Sequence, residues 1–315
     1  MRERVKVSTP GKLMLLGEHA VVYGRPCLVT AVDQRMKVIG EKVRGSGITI
    51  NAPDVGIHNF EYKPGDEDVP KGVRFVVAAL KNFGWQGGLK ITTASEFSSE
   101  FGFGSSSAVT VGVLKCLSEL SEAKFDNKRL FDLAYKSVLD VQGVGSGFDL
   151  AAAIWGGTLG FVTGGKKIEP LKTKKLPLVV GYTGIKADTT TLVKMVSQKR
   201  EGSRKIVEEM FDRVELLVNE AKVGLEEGNW EQVGGLMNEN QKELEMLEVS
   251  SIELFRLITA AREAGAWGAK LSGAGGGDCM IALTDNPKGI SKAIAKAGGI
   301  VINVSSGAEG VRVER

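Results

Sequence analysis

Apolar residues recur along the chain with two different periods, and the switches between them mark out its elements. In "GVRFVVAALKNFG" (72–84) and "SSAVTVGVLKCLSELS" (106–121) they return every three or four positions, which places them on one face of a helix. "NKRLFDLAYKSVLDVQ" (127–142) follows the same rule and runs into the glycine-rich stretch "GVGSGFDLAAAIWGG" (143–157). Alternating or clustered β-branched residues predict strands over 4–17, 35–43, 47–50 and 87–95. Past "GGKKIEPLKTKKLP" (164–177) the pattern changes: a strand at 178–184, then long amphipathic helices over 203–228, 230–247 and 251–266. "AKLSGAGGGDCMIAL" (269–283) reads as strand, glycine loop and strand, followed by a helix near 288–297 and a strand near 299–304. The segment 51–70, with its prolines and acidic residues, reads as a surface excursion. The whole predicts an α+β protein in two halves, 1–163 and 164–315, joined around 162–178.

Composition narrows the class. Hydrophobic residues make up 43% and charged residues 25%, as in soluble globular proteins, and the chain is long enough for an adequate core. A net charge of +3, spread along the chain, gives no footprint for nucleic acid, and "KTKK" (172–175) reads as a solvated linker. No apolar run reaches membrane-spanning length, and the one before Gly17 is too short for a secretory signal. Cys27, Cys116 and Cys279 are odd in number and sit in apolar sequence, which predicts reduced thiols and a cytoplasmic setting. With only His19 and His58 besides, no zinc spacing exists.

Three glycine-rich stretches carry candidate chemistry. "EFGFGSSSAVTV" (100–111) places Gly102, Gly104 and Ser105–Ser107 at the start of a helix. Serines there either cap the helix or, with its unpaired N–H groups, cradle an anion such as phosphate. The stretch lacks the Lys-Ser/Thr of a Walker loop and the third glycine of a dinucleotide fingerprint. "SGAGGGDC" (272–279) has four glycines in five positions, which predicts close approach to a ligand or another loop, or else a bulged hairpin. In "GVGSGFD" (143–149), Asp149 is either the cap of the next helix or a general base. "PGKLMLLGEHAVVYG" (10–24) adds Lys12 and, between two apolar runs, the polar pair Glu18-His19.

Taken together and in this order, the four elements resemble the GHMP kinase superfamily over nearly the whole chain. "PGKLMLLGEHAVVYGRP" and the stretch from "GLMNENQKELEML" to "LSGAGGG" are similar to the mevalonate kinases within it. The resemblance implies a two-domain fold, with a ribosomal-protein-S5-like N-terminal domain and a ferredoxin-like C-terminal one. It also implies an ATP- and Mg²⁺-dependent enzyme that phosphorylates mevalonate in isoprenoid precursor synthesis. By it, Lys12 stabilises charge at the transferred group and Asp149 takes or orients the acceptor proton. Gly102, Gly104, Ser105, Ser106, Ser107 and Ala108 hold the ATP phosphates, with Ser106 on Mg²⁺. Glu18, His19, Thr189 of "TGIKADTTTLV", Gly273 and Ala274 face the substrate. Small molecules are the implied partners, with no nucleic acid or membrane, and a homodimer is compatible with the resemblance.

The chain also departs from the mevalonate kinase pattern. Val138 stands where such kinases usually carry the Mg²⁺-binding glutamate, and Asp140, two residues on, is turned about 200° around a helix. The glycine loops "EFGFGSSSAVTV", "QGVGSGFD" and "GGGDC" are similar to those of the phosphomevalonate kinases. An acceptor already carrying a phosphate would need further cations, for which Lys136 and Lys186 are candidates. A non-catalytic regulator on the same fold is the reading from another class.

Overall fold

The β-branched stretches at the start of the chain become the two longest strands of one sheet. In the computed structural model, which describes residues 3–314, β1 spans Arg4–Leu16 and β2 Pro26–Val43. They pair antiparallel along their length, with a register shift between Pro10 and Gly11. Around them lie β3 (Ile48–Ala52), β4 (Ile57–Tyr62), α1 (Arg74–Phe83), β5 (Gly88–Ser95), α2 (Ser105–Leu120), α3 (Asn127–Gln142) and α4 (Phe148–Trp155). The chain continues through β6 (Thr158–Val162) and β7 (Lys167–Leu171) into a second group: β8 (Leu178–Tyr182), α5 (Thr189–Gly202), α6 (Arg204–Glu227), α7 (Trp230–Met246) and α8 (Ile252–Glu263). β9 (Gly268–Ser272), β10 (Cys279–Leu283), α9 (Pro287–Lys296), β11 (Ile300–Ile302) and β12 (Arg312–Glu314) complete it.

The first sheet has eight strands in the order β12-β1-β2-β5-β3-β4, with β6 pairing the early part of β2 and β7 pairing β6. Because β2 is 18 residues long, one strand serves two neighbours on that side: Pro26–Thr30 faces β6 and Met36–Val43 faces β5. α2 packs on β1 and β2, α4 on β1, β2 and β6, and α1 and α3 lie against α2. The second sheet is antiparallel, β11-β8-β10-β9, with α7 and α8 on β9 and α9 on β8 and β11. β7 and β12, both from beyond residue 163, hydrogen-bond into the first sheet.

Several elements escape the hydrophobic pattern. The segment 51–70 contains β4, which pairs β3, and 162–178, between the two halves, contains β7. A helix, α5, precedes the one expected from 203, and only Val196 of it is buried. The three cysteines are buried and unpaired, and burial pushes the Cys116 thiol up to about 12. Among the described residues no helix is long and apolar enough to cross a membrane.

Candidate active site

Lys12 leaves β1 just past its register shift. Gly11 beside it has no side chain, and a Cβ there would come within 3.2 Å of the Phe103 Cβ, so the loop before α2 lies directly on the strand. The Lys12 N–H donates to the Phe103 carbonyl at 3.0 Å. Its ammonium donates to the Gly102 carbonyl at 2.8 Å and pairs with Asp149 Oδ1 at 3.1 Å. It also sits 5.3 Å from the centre of the Phe148 ring, a cation–π distance. With its side chain only 7% exposed, this lysine is held in one place by the loop before α2 and the first turn of α4.

Neither of the capping readings describes these loops. The N-cap of α2 is Gly104, at φ 78°, and no side chain caps the helix. The first intrahelical bond runs from the Ala108 N–H to the Gly104 carbonyl at 2.9 Å. Helix geometry therefore leaves the amides of Ser105, Ser106 and Ser107 without intrahelical partners, at the positive end of the helix dipole. Ala108 is buried and does not line the cavity, and its amide, bonded to Gly104, is not free for a ligand. Likewise Gly147 (φ 94°) is the N-cap of α4, and Asp149 lies in its first turn with its side chain turned to Lys12.

The C-terminal half supplies the facing wall. His19 adopts a left-handed φ of 59° and its Nε2 lies 2.9 Å from the Ala274 carbonyl. A carbonyl only accepts, so Nε2 carries the ring proton. Burial lowers the His19 pKa, which keeps the ring neutral. Glu18 reaches the cavity wall but is 1% exposed, and its Oε1 pairs with the buried ammonium of Lys270 on β9. Burial pushes the Lys270 ammonium down, and Glu18 acts against that shift. Thr189 opens α5, whose N-cap Asp188 accepts the Thr191 N–H at 3.2 Å. Gly273, Ala274 and Thr189 all line the cavity.

The cavity between these walls measures about 1240 Å³. Three lysines (Lys12, Lys71, Lys186) and six carboxylates (Glu18, Asp54, Glu96, Asp149, Asp188, Asp278) line it, and among the described residues no arginine does. Val138 contributes an apolar surface, while Asp140 lies outside, holding Asn82 and Lys136 at 2.7 and 3.2 Å. Lys136 is thereby removed from the site, whereas Lys186 lines it. Among the described residues no three His, Cys, Asp or Glu side chains form a metal-holding group. Oxygen donors near the start of α2 include the Asp149 carboxylate, the hydroxyls of Ser105–Ser107 and, beside Gly102, the Asp278 carboxylate. Lys270 and Asp278 were not among the residues singled out from sequence. In the sequence only their setting is unusual, a lysine in the apolar run "GAKLS" and an acidic residue closing a run of glycines, and neither setting names the distant partner.

Free amides at a helix N-terminus, a lysine locked against an aspartate and a facing glycine loop are the parts a small-molecule kinase requires. The description "GHMP kinases N terminal domain" matches residues 72–157 and "GHMP kinases C terminal" matches 221–299, and the chain belongs to that family. Within it the chain belongs with the mevalonate kinases: a relative of that name from Thermococcus gammatolerans is 35% identical over 99% of this chain and 98% of its own. The solved L. major mevalonate kinase in complex with R-mevalonate superposes with a TM-score of 0.82 at 25% identity, covering 98% of each chain. The Streptococcus pneumoniae phosphomevalonate kinase in complex with phosphomevalonate and AMPPNP gives 0.81 at 21% identity, covering 96% of this chain and 99% of its own. At that identity the second likeness speaks for the fold alone.

Proposed function

We propose that the chain transfers the γ-phosphoryl group of ATP to the 5-hydroxyl of mevalonate. The observation that carries this reading is the placement of Lys12, fixed between Asp149 and the Gly102 carbonyl beside the free amides of α2. In-line phosphoryl transfer asks for positioning and neutralisation of spreading charge more than for covalent chemistry. The amides of Ser105–Ser107 and the helix dipole bind the phosphates, and Lys12 stabilises the charge on the group in flight. Asp149 Oδ1 is held by Lys12, which leaves Oδ2 to accept the proton of the attacking hydroxyl. On the acceptor side, neutral His19, Thr189, Gly273 and Ala274 present polar groups to the substrate, with Glu18 behind them.

The donors fit Mg²⁺ as an ion held chiefly by phosphate oxygens and water, since the site offers hard oxygens but Val138 offers none. Asp149 and Ser106 would hold it, and the ion would neutralise charge on the ATP phosphates. The acceptor follows from the charge balance. A second phosphate on the substrate would find Lys71 and Lys186, but with Asp188 and Asp278 lining the same cavity and, among the described residues, no arginine fork. The full-length relative named mevalonate kinase supports the same choice.

ADP release by purified protein with ATP and Mg²⁺, comparing mevalonate with 5-phosphomevalonate, tests the proposal. Turnover is expected with mevalonate, and Asp149→Asn should lower kcat by about 10²-fold or more, the usual worth of a positioned base. Turnover with 5-phosphomevalonate alone would overturn it.

A further inference from the structure

Asp278 occupies a position that the backbone would give to glycine. Its φ is 55°, in the left-handed region that favours glycine and that aspartate and asparagine adopt at a modest cost, and glycines fill 275–277 immediately before it. Strain of this kind persists only where surrounding contacts hold it. Here every polar group of the residue except one carboxylate oxygen is engaged with one segment. The Asp278 N–H donates to the Ile185 carbonyl at 2.7 Å, and its own carbonyl accepts from the Thr183 N–H and hydroxyl, both at 3.0 Å. Its Oδ1 accepts the Ala187 N–H at 2.8 Å. The remaining oxygen, Oδ2, faces the phosphate loop: a Cβ on Gly102 would come within 2.5 Å of it. Gly102 is the residue whose carbonyl holds Lys12.

The segment 183–187 leads directly into Asp188, the cap of α5, and Thr189, while Lys186 within it lines the cavity. One side chain thus hydrogen-bonds the acceptor-side segment and lies against the loop that fixes the transferring lysine. We infer that Asp278 is a positioning residue that sets the 183–189 segment in register with Gly102 and Lys12, so that acceptor and phosphoryl group meet in line. It acts through Ala187 and Gly102 and touches no reacting atom. Its carboxylate does so by hydrogen-bond acceptance and shape, so an amide of the same outline replaces it. The role in acceptor placement rests on the kinase reading above, whereas the ordering of 183–189 does not.

The test compares Asp278→Gly with Asp278→Asn. Glycine relieves the left-handed strain and removes both carboxylate contacts, while asparagine keeps a carbonyl acceptor and tolerates the same backbone. For Asp278→Gly, kcat/KM for the acceptor should fall by about 10- to 100-fold, the cost of misplacing one reactant. The KM for ATP should change by less than about threefold, because the amides of α2 are untouched. Its thermal midpoint should stay within a few degrees of the parent's, since released strain offsets the lost bond. Asp278→Asn should return to within about threefold of the parent, its amide carbonyl replacing the lost acceptor. Hydrogen exchange of the ligand-free protein gives a readout independent of any substrate: amides in 183–189 should exchange faster in the glycine variant and as in the parent in the asparagine variant, with exchange in β9 and β10 unchanged. Parental kinetics and parental exchange in Asp278→Gly would overturn the inference, as would an asparagine variant as impaired as the glycine one. Absence of turnover by the parent itself would count against the proposed reaction, and exchange in 183–189 would still decide whether Asp278 orders that segment.

Discussion

His19 shows how much one residue contributes when its backbone, protonation and partner are all fixed. It sits at φ 59°, so the peptide turns sharply after β1, and its ring reaches across to the Ala274 carbonyl of the facing loop. The ring's pKa lies below 6.5, first because burial opposes the charged form, with the carbonyl contact acting in the other direction. The sign of the resulting pH dependence is determined. Below pH 6.5 the unfolded chain binds a proton at this residue that the folded one refuses, so stability falls as pH drops from 6.5 toward the lowered value. Denaturant midpoints measured from pH 7.5 to 5.5 should therefore decline, and His19→Gln should decline less steeply over the same interval. Equal slopes for the two proteins would show that the ring titrates as in the unfolded chain. The neighbouring Glu18–Lys270 pair joins the same loop to β9 with both groups buried. Its geometry ties the first motif to the second sheet, which is a matter of register more than of net stability.

At the scale of elements, the catalytic geometry depends on where α2 and α4 begin. Both start on left-handed glycines, Gly104 and Gly147, which leaves the first amides facing the cavity. At Gly104 the lack of a side chain also matters in space: a Cβ would lie 3.3 Å from both Asp149 Oδ1 and Lys12 Cε. Gly104→Ala should cost about 1–2 kcal/mol of stability through the left-handed φ. It should lower kcat/KM by about 10²-fold, because the lysine–aspartate pair must shift. Steady-state kinetics beside a denaturation curve separates the two, and a loss of activity no larger than the loss of stability explains would contradict the close packing. The same glycines explain what was legible in the sequence. Long helices with a clear apolar face (106–121, 127–142, 203–228) and glycine-serine or glycine-aspartate junctions stand out in the chain itself. Lys12, Ser105–Ser107, Asp149, His19 and Thr189 converge on one cavity as their motifs suggest. The five-residue strands β6 and β7 show too few periods to be distinguished from loop, and α5 buries little more than Val196, so it has no apolar face to read. Lys270 and Asp278 owe their importance to partners more than 90 residues away in the chain, Glu18 and the segment containing Ala187 for example, and no local pattern carries that.

At the scale of the whole molecule, the last residues return to support the site from behind. β12 pairs β1 through Arg312–Glu314, and the segment before it passes the end of α4, the helix that carries Asp149. Arg35, buried in the first sheet, donates to the Glu309 and Gly310 carbonyls at 2.8 and 2.7 Å and to the Ser8 hydroxyl and carbonyl at 2.7 and 2.9 Å. A buried guanidinium with these partners fixes the path of the returning chain, since breaking the set would leave a charge without hydrogen bonds. Along that path Gly310 touches the backbone of α4, where a Cβ would fall 2.1 Å from the Ile154 carbonyl oxygen. Backbone cannot swing aside as a side chain can, so Gly310→Ala must move either the C-terminal segment or the end of α4. The variant should lose about 3 kcal/mol, in the range of overpacked interiors, measured by chemical denaturation. If α4 is the element that yields, kcat falls as well while the KM for ATP holds, because Asp149 moves and the amides of α2 do not. A parental denaturation midpoint for Gly310→Ala would mean that the C-terminal segment does not pack on α4 as closely as these distances require.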